Sequence, residues 1–199
     1  MAQTTTQTST QGKTSGKTGM APVRTGIEST DRQRLAQAVS KAMAETYVLY
    51  TKTQAIHWNV VGPMFYSIHK LTEEQYEDLA DAIDDLAERI RALGAPAPGA
   101  FEEFLKLSDI KEAPHEKQTA EQAVMMLCAD HETAARTFRE ATQLADEMDD
   151  VVTADLLTER MAKHEKAAWM LRALVQESAI QTTGIAASSD GEAAGKQRQ

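Results

Sequence analysis

A chain of 199 residues with 42% hydrophobic content is long enough for one sizeable domain with tails, and its formal charge of −9 argues against a general nucleic-acid-binding surface on the folded body. The single cysteine, Cys128, excludes a disulfide framework and a thiolate metal site. The first residues lack the apolar core of a signal peptide, and no apolar run approaches the roughly 20 residues of a membrane span, so the chain reads as soluble and cytoplasmic.

Residues 1–28 are rich in Thr, Gln, Ser and Gly, carry Lys13, Lys17 and Arg24, and hold no acid before Glu28, which reads as a disordered, mildly cationic tail. A folded domain is expected over 29–178. Leu35, Val39, Met43, Tyr47 and Tyr50 recur at helical spacing and predict a first helix from about Asp31 to Trp58. Gly62-Pro63 breaks it. Ile68, Leu71, Leu79, Ile83, Leu86 and Ile90 mark a second helix that Gly94 ends. The following stretch of about 24 residues contains Pro96, Pro98 and Pro114, with a short helix expected at Phe101 to Leu107. Thr119-Ala-Glu-Gln122 is a capping box that opens a third long helix through Val124, Leu127, His131, Phe138 and Met148. A fourth is expected from about Thr153 to Gln176, with a flexible tail over 179–199. Four long helices with one long middle connection predict an all-α, up-down-down-up bundle, the ferritin-like arrangement, with a short helix in the crossover between helices two and three.

His57, His69, Glu73, Asp84 and Glu88 are candidate metal ligands. They offer nitrogen and oxygen donors that suit Fe(II), Zn(II) or Mn(II). His69-x3-Glu73 and Asp84-x3-Glu88 each lie on one helical face, and together they fill a stripe roughly 100° wide, apart from the apolar face. A solvated acidic helix carries such pairs by chance as well. Glu73 and Asp84 are roughly 16 Å apart along a helix, too far to share an ion. The one Glu-x-x-His, Glu112 to His115, falls in the proline-containing connection, which argues against a di-iron centre within one chain. Two copies of helix two running antiparallel about a two-fold axis near residues 78–79 would set His69 and Glu73 of one subunit against Asp84 and Glu88 of the other, giving two equivalent sites per dimer. His57 would complete a His-His-Glu set from one chain.

His57-Trp-Asn-Val-Val-Gly-Pro, His69-x3-Glu73 and Asp84-Asp-Leu-Ala-Glu88-Arg resemble the signature of the Dps family, the mini-ferritins named as DNA-binding proteins from starved cells. The motif match spans roughly residues 45–94, and the helix layout fits to about residue 178. One departure is Glu73, where many members carry Asp. The resemblance implies a hollow dodecamer whose catalytic unit is the two-fold dimer, with His57, His69 and Glu73 from one subunit and Asp84 and Glu88 from its partner as the ferroxidase ligands. It implies iron as the metal, two ions per inter-subunit site, with Zn(II) able to substitute. Fe(II) would be oxidised with hydrogen peroxide or oxygen and stored as ferric mineral, protecting DNA from oxidative damage.

Trp58, beside His57, either traps stray oxidising equivalents or packs the dimer interface. Asp146, Glu147, Asp149, Asp150 and Asp155 cluster at the turn between helices three and four, where the resemblance implies iron-entry pores and where a solvated acidic turn is the plainer reading. His115, His131 and His164 fit no ligand position and read as structural or exposed; Cys128 reads as core. Lys13, Lys17 and Arg24 are candidate DNA contacts, and twelve tails acting together would add their phosphate contacts. The competing class is a non-enzymatic, nucleoid-associated compacting protein acting through that tail.

Overall fold

The computed structural model describes residues 23–114 and 118–189, with 177–189 as backbone only. Five helices make up the described chain: α1 (Ser29–Asn59), α2 (Phe65–Ala92), α3 (Phe101–Leu107), α4 (Ala120–Glu147) and α5 (Val151–Ser189). No strand occurs among these residues, and no described helix is long and apolar enough to cross a membrane.

Local chemistry fixes the ends. Gly62 takes φ +103 at the break between α1 and α2, a backbone region that glycine enters without strain. After α2, Gly94 takes φ +91, and the amides of Gly94 and Ala95 donate to the carbonyls of Arg91 and Ile90 at 3.0 and 3.2 Å. That is the paired closure of a Schellman stop. At the start of α4, Gln122 N donates to Thr119 Oγ1 at 3.2 Å and Thr119 N to Gln122 Oε1 at 3.0 Å, the expected reciprocal box. The α4–α5 turn repeats the Schellman closure without glycine. Asp149 adopts φ +54, Asp149 N donates to Asp146 O, and Asp150 N donates to Ala145 O. Asp tolerates the left-handed region because its short polar side chain bonds locally.

Helix α5 runs to Ser189, past the end expected near Gln176. No proline interrupts residues 153–189, and a lone interior glycine, here Gly184, costs only about 1 kcal/mol. The tail composition hid this continuation. Most of the tail residues themselves, 1–22 and 190–199, lie outside the described residues.

Side-chain pairs give the helix directions. Lys52 on α1 binds Asp130 on α4, and Glu45 bonds Thr137, so the α1 numbers rise as the α4 numbers fall. Arg89 binds Asp150, and Asp78 binds Arg160 and Lys163, so α2 and α5 are likewise antiparallel. With short turns joining α1 to α2 and α4 to α5, the order is up-down-down-up, as expected. Helix α3 packs on α1 within the crossover, Phe104 stacking on Tyr47 with centroids 4.4 Å apart. The core is Leu35, Val39 and Leu49 from α1, Leu79, Leu86 and Ile90 from α2, Leu127 and Phe138 from α4, and Leu157 and Leu171 from α5. Cys128 is buried in it, as expected.

Candidate metal half-site

The inward face of α2 carries Ile68, Thr72, Gln75, Leu79, Ala82, Leu86 and Ile90, all buried. This spacing of three and four turns His69, Glu73, Asp84 and Glu88 away from the core. Asp84 and Glu88 are exposed, while His69 and Glu73 are half-buried. Among the described residues no side-chain hydrogen bond or ion pair engages the carboxylate of Asp84 or Glu88, both within α2.

His57 and His69 are brought together by the Gly62-Pro63 turn, which folds the last turn of α1 against the first turns of α2. The rings stack with centroids 3.8 Å apart and 16° between planes. Each bonds the other's backbone: His57 Nδ1 to His69 O at 2.9 Å, and His69 Nδ1 to His57 O at 2.9 Å. A carbonyl only accepts, so both Nδ1 atoms carry hydrogen. In the neutral rings both Nε2 atoms are therefore lone-pair donors, the tautomer of a metal-ligating histidine held by a carbonyl behind it. The carbonyl of His57 is one of the acceptors left open at the end of α1, and His69 satisfies it. Two further rings brace the pair: Phe65 stacks on His69 at 5.0 Å, and Tyr76 meets His57 edge-on at 5.1 Å. Sequence reasoning did not single out Phe65 or Tyr76, although Tyr76 lies one turn from Glu73.

Glu73 is not gathered with the histidines into a tight trio. Its carboxylate bonds the Lys70 ammonium at 2.5 Å, which holds it below the usual carboxylate range, and His57 and His69 add smaller contributions. Among the described residues no three His, Cys, Asp or Glu side chains of one chain form a metal-binding cluster. Trp58 is 67% exposed, and Val61, Phe65 and Tyr66 beside it in sequence are also exposed.

The acidic turn divides by role. Asp146, Glu147, Asp149 and Asp155 are exposed, but Asp150 is buried and departs from the pore expectation. It caps α5, accepting from Thr153 N at 3.1 Å and Thr153 Oγ1 at 2.7 Å, and it binds Arg89 at 2.6 Å. Burial pushes its carboxyl up, but the Thr153 and Arg89 bonds outweigh that and hold it low. Three of its lone-pair sites are taken and the carboxylate is buried, so it presents little to a passing cation. The signal was present, since Asp-x-x-Thr before an apolar run reads as a helix start.

His131 and His164 are buried between α4 and α5 and meet Nδ1 to Nδ1 at 3.0 Å. His115, Lys13 and Lys17 lie outside the described residues, and Arg24 is exposed.

Comparison with known proteins assigns the scaffold. The family model of the ferritin-like domain matches residues 36–179. A low temperature-induced protein of Nostoc sp. is 39% identical over 166 residues, covering 83% of this chain and 93% of its own. DNA protection during starvation protein 2 of Bacillus anthracis is 36% identical over 145 residues, covering 73% of this chain and 99% of its own. The crystal structure of the Dps protein from Vibrio cholerae O1, described as a member of a broad superfamily of ferritin-like diiron-carboxylate proteins, superposes with a TM-score of 0.73 at 32% identity over 79% of this chain and 99% of that one. The all-α bundle, its crossover and these matches together show that the chain belongs to the Dps family of ferritin-like proteins.

Proposed function

We propose that this chain is a Dps-type ferroxidase and iron-storage subunit whose working unit is a two-fold dimer within a dodecameric shell. The observation that carries the reading is the reciprocal bonding of His57 and His69. It fixes both Nδ1–H groups on carbonyls and leaves two Nε2 lone pairs beside an outward stripe with Glu73, Asp84 and Glu88. In an antiparallel pairing of α2 with its copy, Asp84 and Glu88 of one subunit face His57, His69 and Glu73 of the other. Exposed Trp58, Val61, Phe65 and Tyr66 supply apolar surface for that contact.

Iron is substrate and cargo here. Two Fe(II) ions give one electron each to hydrogen peroxide, which takes two protons and leaves as two waters; no hydroxyl radical is released. Carboxylate oxygens favour Fe(III) over Fe(II), so binding itself helps the oxidation. Lys70 holds Glu73 until a cation displaces the ammonium. Asp146, Asp149 and Asp155 remain the candidate pore acids, and Trp58 the candidate radical sink. DNA protection, named for the relatives, follows from removing iron and peroxide together. Direct DNA contact through Lys13, Lys17 and Arg24 is a separate arm, read by gel shift at low and moderate salt.

The assay is Fe(II) oxidation followed optically after peroxide addition, in the wild type and in His57→Ala/Asp84→Ala. Loss of the fast phase is expected; equal rates would remove the assignment.

A further inference from the structure

The core histidines stand in a pocket with more unmatched polar atoms than a bundle interior normally holds. His131 and His164 are 2% and 1% exposed and share one proton between their Nδ1 atoms. The donor ring then keeps a bare Nε2 and the acceptor ring an Nε2–H. Among the described residues neither Nε2 has a protein partner, nor does Arg160 Nε, nor either amide atom of Gln75. Arg160 and Gln75 are 6% and 8% exposed. All four residues line one cavity of about 190 Å³ between α2 and α5, with Lys163 and Lys166 at its exposed rim.

The lining selects its ligand by elimination. An apolar guest would leave these atoms unsatisfied, at about 1–3 kcal/mol each. A metal cation meets the Arg160 guanidinium and two ammonium groups. Of the lining carboxylates, Asp78 is already bound to Arg160 and Lys163, which leaves only Glu74. The two Nε2 atoms lie on the far sides of rings 5.2 Å apart, so one ion cannot take both. Burial, with the nearby Arg160 charge, holds His131 down to about 4 and His164 well below the ordinary range, so both rings are neutral near pH 7. What remains is a set of donors beside net positive charge: a guanidinium N–H, a carboxamide NH2, an imidazole N–H and the rim ammoniums.

We propose that this cavity is a binding site for a tetrahedral oxyanion of the phosphate or sulfate class. Arg160 Nε, Gln75 Nε2 and one imidazole Nε2–H donate to its oxygens, and Lys166 closes the mouth. Such a ligand satisfies the buried donors and steadies the sparsely packed α2–α5 seam by binding only the folded state. It lies apart from the His57–His69 half-site and does not depend on iron being oxidised there.

The test uses iron-free, full-length protein and inorganic phosphate, with sulfate as competitor, read by equilibrium dialysis and thermal shift. The expected result is saturable binding of one phosphate per chain that sulfate displaces. Gln75→Leu should weaken it about ten-fold or more, the loss of one charge-assisted hydrogen bond. Lys166→Gln, at the exposed rim, should weaken it a few-fold, and this variant decides the matter if Gln75→Leu does not fold. Three results would overturn the proposal: no saturable phosphate binding by the wild type, equal binding in wild type and Lys166→Gln, or Zn(II) uptake that depends on His131 in place of phosphate uptake.

Discussion

Two histidine pairs in one subunit meet opposite fates. His57 and His69 stack where the end of α1 meets the start of α2, with both Nδ1 atoms committed to carbonyls, which leaves each Nε2 with its lone pair. His131 and His164 lie in the core with Nδ1 against Nδ1, one proton between them, and a guanidinium where the first pair has acids. The residue type is the same and the rings are close in both. What differs is the atom behind each Nδ1 and the sign of the neighbouring charge. A carbonyl behind each ring leaves both Nε2 atoms as lone-pair donors. Another imidazole makes one ring a donor and the other an acceptor, and burial keeps them uncharged.

The sharpest way to break this comparison is complementation at the first pair. His57→Ala and Asp84→Ala, prepared separately, should each lose fast peroxide-driven Fe(II) oxidation by 10- to 100-fold or more, on the order of losing a metal-binding partner. Co-refolded in equal amounts, they should regain about a quarter of the wild-type sites. Only a mixed dimer pairs an intact His57 with an intact Asp84, and it does so at one of its two sites. No recovery on mixing would exclude a site shared between subunits.

The core pair is expected to govern stability instead. His164→Leu strands His131 with an unpaired buried polar atom and should cost about 1–3 kcal/mol in denaturant unfolding. His131→Leu/His164→Leu should recover much of that loss, because removing both partners leaves no imidazole nitrogen unsatisfied. A double variant worse than the sum of the singles would deny the pairing its meaning.

Acid titration should separate the pairs further. The folded-state pKa of His131 lies near 4, below its ordinary value of 6.5, so between these limits the unfolded chain binds more protons. Stability therefore falls as pH drops from about 6.5 towards 4, with no contribution from this group above that range. The double leucine variant should show a flatter dependence over the same window, measured by thermal unfolding at fixed ionic strength.

The smallest expected effect is at Lys70. Lys70→Ala removes an exposed ion pair, so the unfolding midpoint should stay where it is, while Fe(II) affinity at the half-site rises a few-fold as Glu73 is freed. Lower affinity would mean that Lys70 positions Glu73 for the metal rather than competing with it.

Helix number, the short crossover helix and the stops were legible in the chain because each depends on neighbours in sequence. Gly94 and the Thr119–Gln122 box act within one turn, and the outward stripe of α2 follows from its own periodicity. Asp150 shows where local reading stops short. Its place in an acidic run suggested a pore, but its partner Arg89 lies 61 residues away, and burial at the helix junction commits its carboxylate. The continuation of α5 to Ser189 was obscured by composition, since small polar residues read as a tail until a helix already under way extends through them.

The sequence by itself determined the bundle, its up-down-down-up order and the outward polar stripe of α2, because hydrophobic period and capping are short-range. It also set the His57–His69 approach, since a twelve-residue separation across one tight break leaves the two rings little room to be elsewhere. Only the tertiary structure decided which histidines have both Nδ1 atoms on carbonyls and which meet Nδ1 to Nδ1. That depends on what stands behind each Nδ1 and whether an acid or an arginine stands near, and both are set by helices that meet in space.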